Sequence, residues 1–362
     1  MKTLITIITM ALSTLFVNAQ MTAEKELQKA LDESTAIALK KHNVPGMAIA
    51  IIKNDQVIIK KGYGFSDIKS GETPSSTTGF NIGSISKMFT AWGIMKLVEE
   101  GSLRLDAPAS NYISGWKLPA SEFDANKVTI RNLLQHTAGL SVHGYNGYES
   151  KNELTSIRQS LSGTSNPDEA VKLIMEPESK WQYSGGGYSI LQLVIEEVSG
   201  NSFADYMQKS IFKPLKMKHT SFDINKKILK NSAKAYDEEA KEIPLRLFNA
   251  QAAAGLHTTI DDLILFAKAS FSRNPVLSKK SISLLIAPTE ISKGNYGMGY
   301  MEMNRFGDFT LNGHGGSNEG WHSGFMLDFK SKSGIIILTN GSKGRNVLFG
   351  SMKEWAKWHG RN

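Results

Sequence analysis

Hydrophobic and polar positions along the chain change period several times, and each change marks an element. Thr22 to Lys41 carries apolar residues at helical spacing and predicts a helix. Met47–Lys53 and Gln56–Phe65 are β-rich runs separated by Asn54-Asp55, which predicts a hairpin. Ser84 to Glu100 is a helical run stopped at Gly101. From Arg104 to about Pro288 the pattern is mainly helical, with loops rich in Gly, Ser and Asn at Gly139–Asn152 and Ser160–Pro167. The most periodic helix there is Ser189–Ser199, ended by Gly200. Strand character returns at Tyr296–Met303, Phe309–Asn312, Gly324–Phe329 and Gly334–Thr339, and a terminal helix is expected over Val347–His359. With strands at both ends and helices in the middle, the economical fold is mixed α/β (α+β). One central antiparallel sheet, from about 20–80 and 290–362, is flanked by the terminal helices, with a large helical region inserted at about 100–290. A cleft between sheet and insertion is where a site is expected, and Ser84 stands at that junction.

Before the first helix, Met1 to Ala19 holds one charge, Lys2, then an apolar run from Leu4 to Val17 and the small-residue ending Val17-Asn18-Ala19. This reads as a signal peptide cleaved after Ala19, leaving 20–362 as one large mixed domain or two intimately packed ones, with no stable membrane span and a periplasmic or secreted address. The chain has no cysteine, which excludes disulfides, a thiol nucleophile and a lipid-modified cysteine at the cleavage site. The net charge of +8 is spread over short pairs such as Lys40-Lys41 and Lys226-Lys227. Scattered pairs without interleaved aromatics predict solvated faces and no nucleic-acid partner, with at most a weak preference for anionic surfaces such as cell wall.

Candidate chemistry centres on Ser84-Ile85-Ser86-Lys87. Residues three apart on a helix share a face, so the Lys87 amine would lie beside the Ser84 hydroxyl, with Ser86 off that face. A serine needs a neighbour to take its proton, and an amine kept from water near a helix start can lose its charge and do so. Ser66/Lys69, Ser114/Lys117 and Ser210/Lys213 repeat the spacing, but only Ser84 opens a long amphipathic helix. Tyr183, before Ser184-Gly185-Gly186-Gly187, could project into the cleft and relay a proton if the amine lowers its pKa. His314-Gly315-Gly316-Ser317 falls between two candidate strands. Its glycines would let a carbonyl approach the backbone and an N–H help hold an oxyanion, while a hairpin turn with a surface histidine explains the same residues. No Gly-x-Ser-x-Gly elbow exists, which argues against an α/β-hydrolase, and the eight histidines form no His-Glu-x-x-His or other close ligand cluster.

In that order and at those separations, Ser84-x-x-Lys87, Tyr183-Ser184-x and His314-x-Gly316 resemble the three active-site motifs of the serine β-lactamase and penicillin-binding-protein superfamily. Class C β-lactamases and their esterase, D-aminopeptidase and DD-peptidase relatives are the most similar branch. Val44-Pro45-Gly46, Phe80 to Ser84 and Thr129 to Leu140 support it, and the similarity runs from about Leu39 to Asn340. The resemblance implies Ser84 as acylated nucleophile, Lys87 as its base, Tyr183 as second proton carrier and His314 as a substrate-side residue on an edge strand. It also implies an oxyanion hole from the N–H groups of Ser84 and Ser317, a substrate strand at Gly316, and no metal or organic cofactor. His143 and Trp321 are expected to line the pocket, and His136 to be a buried structural histidine.

The second motif has Gly185 where the family usually has asparagine, and the third has His314 where many members have lysine. Both departures fit the esterase and peptidase branches. The expectation is an exported serine hydrolase acting through an acyl-serine on a small ester, amide, D-amino-acid peptide or β-lactam. A class C-type β-lactamase and a catalytically silent module that binds cell-wall fragments are the alternatives.

Overall fold

The structure is a computed structural model that describes residues 2–304 and 308–361, with side chains from residue 22 onward. A six-stranded antiparallel sheet forms its centre, built from β1 (Gly46–Lys53), β2 (Gln56–Gly64), β3 (Met301–Met303), β4 (Leu311–Asn318), β5 (Trp321–Asp328) and β6 (Ser333–Thr339). Their order across the sheet is β2-β1-β6-β5-β4-β3, so the N-terminal hairpin joins the C-terminal meander through β1 and β6, with Met47 opposite Thr339. The hairpin turns at Asn54 and Asp55, whose φ values of 50° and 64° are the left-handed pair that a tight two-residue turn requires.

β1 is buried on both faces, which is why it reads as a continuous apolar run. Met47, Ile49 and Ile51 face α1 (Lys2–Lys41) and the terminal helix α7 (Gly344–His359), where Leu27, Leu31, Val347 and Trp355 pack. Ala48, Ala50 and Ile52 face the inserted region with its helix α2 (Ser86–Glu99), and the two small alanines let α6 (Ile260–Phe271) lie close. Inside the insertion are α3 (Ile130–Gln135), α4 (Gly185–Ser199) and the short α5 (Gln251–Ala254), which packs on α2 and α4. No helix among the described residues is long and apolar enough to cross a membrane.

Three expectations change. The strand expected over Tyr296–Met303 keeps only Met301–Met303, because Gly299 turns the chain at φ 81° and Tyr296 and Tyr300 are drawn into the core. The helix expected from Ser189 starts at Gly185, its N-terminus capped by the Ser184 hydroxyl accepting from the Gly187 N–H at 3.1 Å. Of the two readings of His314 to Ser317, the turn gives way to the edge strand that the resemblance implies. β4 runs to Asn318 and the hairpin bends at Glu319-Gly320, with Gly320 at φ 79°.

Candidate active site

Ser84 sits in a single 3-10 turn, Gly83–Ile85, that leads directly into α2. Gly83 adopts φ 51°, a conformation open to glycine, and donates its N–H to Asn81 Oδ1 at 3.0 Å. Ser86, off the catalytic face as expected, pins the turn instead: its hydroxyl donates to the Gly83 carbonyl at 2.6 Å and accepts from the Leu256 N–H at 3.0 Å. One residue on, Lys87 brings Nζ to 3.3 Å from Ser84 Oγ and donates to the Ala253 carbonyl at 2.7 Å. Lys87 is 1 % exposed, and this burial pushes its pKa down to about 7. Around the amine stand the rings of Tyr183 and Tyr188, with centroids 4.9 and 5.4 Å from Nζ.

Tyr183 hydrogen-bonds Ser84, so nucleophile, amine and phenol converge. The expected lowering of its pKa does not occur. Burial raises it, with the hydrogen bond to Ser84 only partly offsetting that rise, and Tyr183 is held as a phenol. Behind it, a chain of hydrogen bonds has a fixed direction. The Ser184 N–H donates to His136 Nδ1 at 3.1 Å, so the His136 proton is on Nε2 and points to Tyr296 Oη at 3.1 Å. Tyr296 Oη lies 3.1 Å from His314 Nε2, and His314 Nδ1 lies 2.5 Å from the Gly315 carbonyl, which requires the proton on Nδ1. His136 is buried, as expected, and is pushed well below its usual pKa, while His314 is pushed down to about 3, in both cases chiefly by burial and then by the Lys87 charge. Both nitrogens of His314 are therefore engaged within the protein, and anchoring a substrate through either would break one of these bonds.

The edge of β4 lies against the Ser84 turn because neither carries a side chain at the contact. A Cβ on Gly316 would fall 1.9 Å from the Ile82 carbonyl oxygen, and one on Gly83 2.6 Å from the Ser317 nitrogen. Ser323 donates to the Ile82 carbonyl at 2.8 Å, and Asn318 donates to Asn81 at 2.7 Å and to the Ala254 carbonyl at 3.0 Å, locking strand, turn and α5 together. His143 is at the mouth, its ring 5.0 Å from that of Tyr183. Trp321 is not at the site. It is buried on the core face of β5, edge-on to Phe80 at 5.9 Å and His257 at 6.0 Å; closeness in sequence to Gly316 did not put it on the cavity side.

Ser84, Lys87, Tyr183, His143, His314 and the Gly316-Ser317 backbone line one cavity of about 600 Å³. Tyr145, Trp181, Met301, Met303 and Arg345 also line it, although no motif marked them. The signal available was for Tyr145, which stands in the glycine-rich loop flagged at Gly139–Asn152. Beside Gly185, where an asparagine was the family expectation, a Cβ would meet the His143 carbonyl at 3.1 Å and the Tyr145 ring at 3.2 Å, so that space is already occupied. A second cavity, about 710 Å³ beside Arg273 and Phe329, is lined by none of the motif residues. No cluster of metal-binding side chains occurs among the described residues.

A Ser-x-x-Lys turn at the edge of a sheet drawn from both chain ends defines the penicillin-binding-protein and β-lactamase fold. The beta-lactamase family model matches residues 23–351, and the chain belongs to that family. It is similar to Protein flp of Staphylococcus aureus, with 29% identity over 86% of this chain and 63% of that protein, so it spans about 63% of the length of that relative. Similarity extends to the putative penicillin-binding protein PbpX of Bacillus subtilis, 29% identical over 93% of this chain and 79% of the relative. Among solved structures, the octameric penicillin-binding protein homologue from Pyrococcus abyssi superposes with a TM-score of 0.78 at 28% identity, covering 92% of this chain and 77% of that one.

Proposed function

We propose that this protein is an exported serine hydrolase that forms an acyl-Ser84 intermediate on a small ester, amide, D-amino-acid peptide or β-lactam. The observation that carries this is the Lys87 amine, 3.3 Å from Ser84 Oγ and held near neutrality by burial. Neutral Lys87 takes the Ser84 proton as Oγ attacks the carbonyl carbon. The oxyanion is received by the N–H groups of Ser84 and Ser317, the latter brought alongside by Gly83 and Gly316. Tyr183, hydrogen-bonded to Ser84, passes a proton to the departing oxygen or nitrogen. Lys87 then returns its proton to the Tyr183 phenolate, and water attacks the acyl carbon while the again neutral Lys87 takes its proton and delivers it to the departing Ser84 Oγ.

The missing amide at Gly185 and the engaged nitrogens of His314 favour esters, amides and D-amino-acid peptides over the acylamino-carboxylate substrates of a class C-type β-lactamase. Intact-protein mass after mixing with a penicillin, and separately with a fluorophosphonate, tests the reading. A fluorophosphonate adduct on the parent and not on Ser84→Ala is the expected result. A stable penicilloyl adduct would point to a peptidase or slow lactamase, and no Ser84-dependent adduct with either would replace the enzyme with a silent binding module. The export component predicts that protein recovered outside the cytoplasm begins at Gln20 by N-terminal sequencing; recovery of Met1 there would overturn cleavage.

A further inference from the structure

The cavity at Ser84 does not end at the catalytic groups. It crosses the edge of β4 and continues on the other face of the sheet beneath α7, where Met301, Met303, Met326, Leu348, Phe349 and Met352 line it. Strand register explains the space. Residues 311, 313, 315 and 317 of β4 face α7, opposite Met326, Gly324 and His322 of β5, while His314 and Gly316 face Ser84. Gly315 and Gly324 are paired, so this part of the sheet is a floor without side chains. A Cβ on Gly315 would have its nearest neighbour at 3.8 Å, whereas one on Gly324 would press on Leu348 at 3.1 Å. β3 covers β4 only over Leu311–Gly313, leaving His314 to Asn318 without a β3 partner where the cavity crosses.

Polarity is graded along this passage. Arg345, Leu348, Phe349 and Met352 form one row on α7, spaced three and four apart, and His322 with Arg345 stands at the Ser317 end. From Ser317 to the Gly313, Met301 and Met326 level is four strand residues, about 14 Å, the reach of an extended acyl chain of about ten carbons. Methionines suit a flexible chain because their own side chains adapt in shape.

We propose that this trough binds the unbranched apolar chain of an amphiphilic ester or amide whose carbonyl rests at Ser84, making medium-chain acyl compounds the substrate class. The proposal rests on the hydrolase reading above, and its test separates the two. kcat/KM is measured for acetyl and decanoyl p-nitrophenyl esters with the parent and with Met301→Trp, a half-buried position whose added volume enters the trough. Binding of decanoate and acetate to Ser84→Ala is measured by calorimetry. Since each seated methylene is worth about fourfold, the parent should favour the decanoyl ester at least tenfold, Met301→Trp should cut that ratio at least tenfold, and Ser84→Ala should bind decanoate and not acetate. A flat chain-length profile, or a Trp variant that lowers both esters in equal proportion, overturns the trough while leaving the hydrolase intact. Decanoate binding with no hydrolysis of either ester would instead retain the trough and remove the hydrolase.

Discussion

At the scale of single residues, one lysine sets the electrostatics of the cleft. Lys87 lies at about 7 because burial penalises its charge, and the same burial holds His136, His314 and Tyr183 neutral, so of these four Lys87 is the one that titrates near neutral pH. kcat/KM should therefore rise with pH through about 7 and then level, and Lys87→Met should lose roughly 10²–10⁴-fold of activity, the range of a positioned base. Tyr183→Phe should lower kcat by a similar order with little change in KM, because it removes a proton and not a binding surface. Stability carries the same signature. Folded Lys87 binds fewer protons than the unfolded chain between its folded pKa of about 7 and the ordinary 10.5, so stability rises with pH across that window and the burial penalty is fully felt below it. Thermal melts at pH 7 and pH 9.5 should show the parent gaining from this group and Lys87→Met lacking that gain.

At the scale of elements, the site depends on two backbones touching. Gly316→Ala would force a Cβ to 1.9 Å from the Ile82 carbonyl, so β4 must move away from the Ser84 turn; we expect a loss of about 1–3 kcal/mol in denaturant melts together with lower kcat. Gly315→Ala, with nothing nearer than 3.8 Å, should leave the melt almost unchanged. Equal losses at the two glycines would show that the contact is not what holds β4 in place. These glycines also mark the limit of what could be read beforehand. His314-Gly315-Gly316 admits a turn as readily as a strand because glycine signals both a bend and a close approach, and only the partner backbone distinguishes them. The Asn54-Asp55 hairpin, the Ser84–Lys87 pairing and the sheet from both ends could be read because each rests on local spacing or order along the chain. Tyr296 and Trp321 could not: Tyr296 lies in a run whose pattern reads as a strand although the residue is drawn into the core, and Trp321 faces the core through a register that no single segment encodes.

At the scale of the whole molecule, the chain's two ends close one face of the sheet. α1 packs on α7, and Leu27, Leu31 and Leu39 are buried with Met47, Ile49 and Ile51 beneath them. Polar contacts reinforce the joint: Trp358 Nε1 donates to the Ala23 carbonyl at 3.0 Å, and Asp32 accepts from Lys61 at 2.7 Å and from Tyr63 at 2.8 Å. These contacts involve Ala23 and residues beyond it, after the proposed cleavage point, and a chain starting at Gln20 should melt at the same temperature as one carrying the leader. Removing residues through His42 is a different matter. The three leucines alone are worth about 5–9 kcal/mol on an area basis, comparable to the total stability of about 5–15 kcal/mol of a typical domain. Such a chain should fail to fold or aggregate through the exposed sheet face, as judged by circular dichroism and gel filtration. A monomeric, cooperatively melting product would show that α7 covers that face without α1.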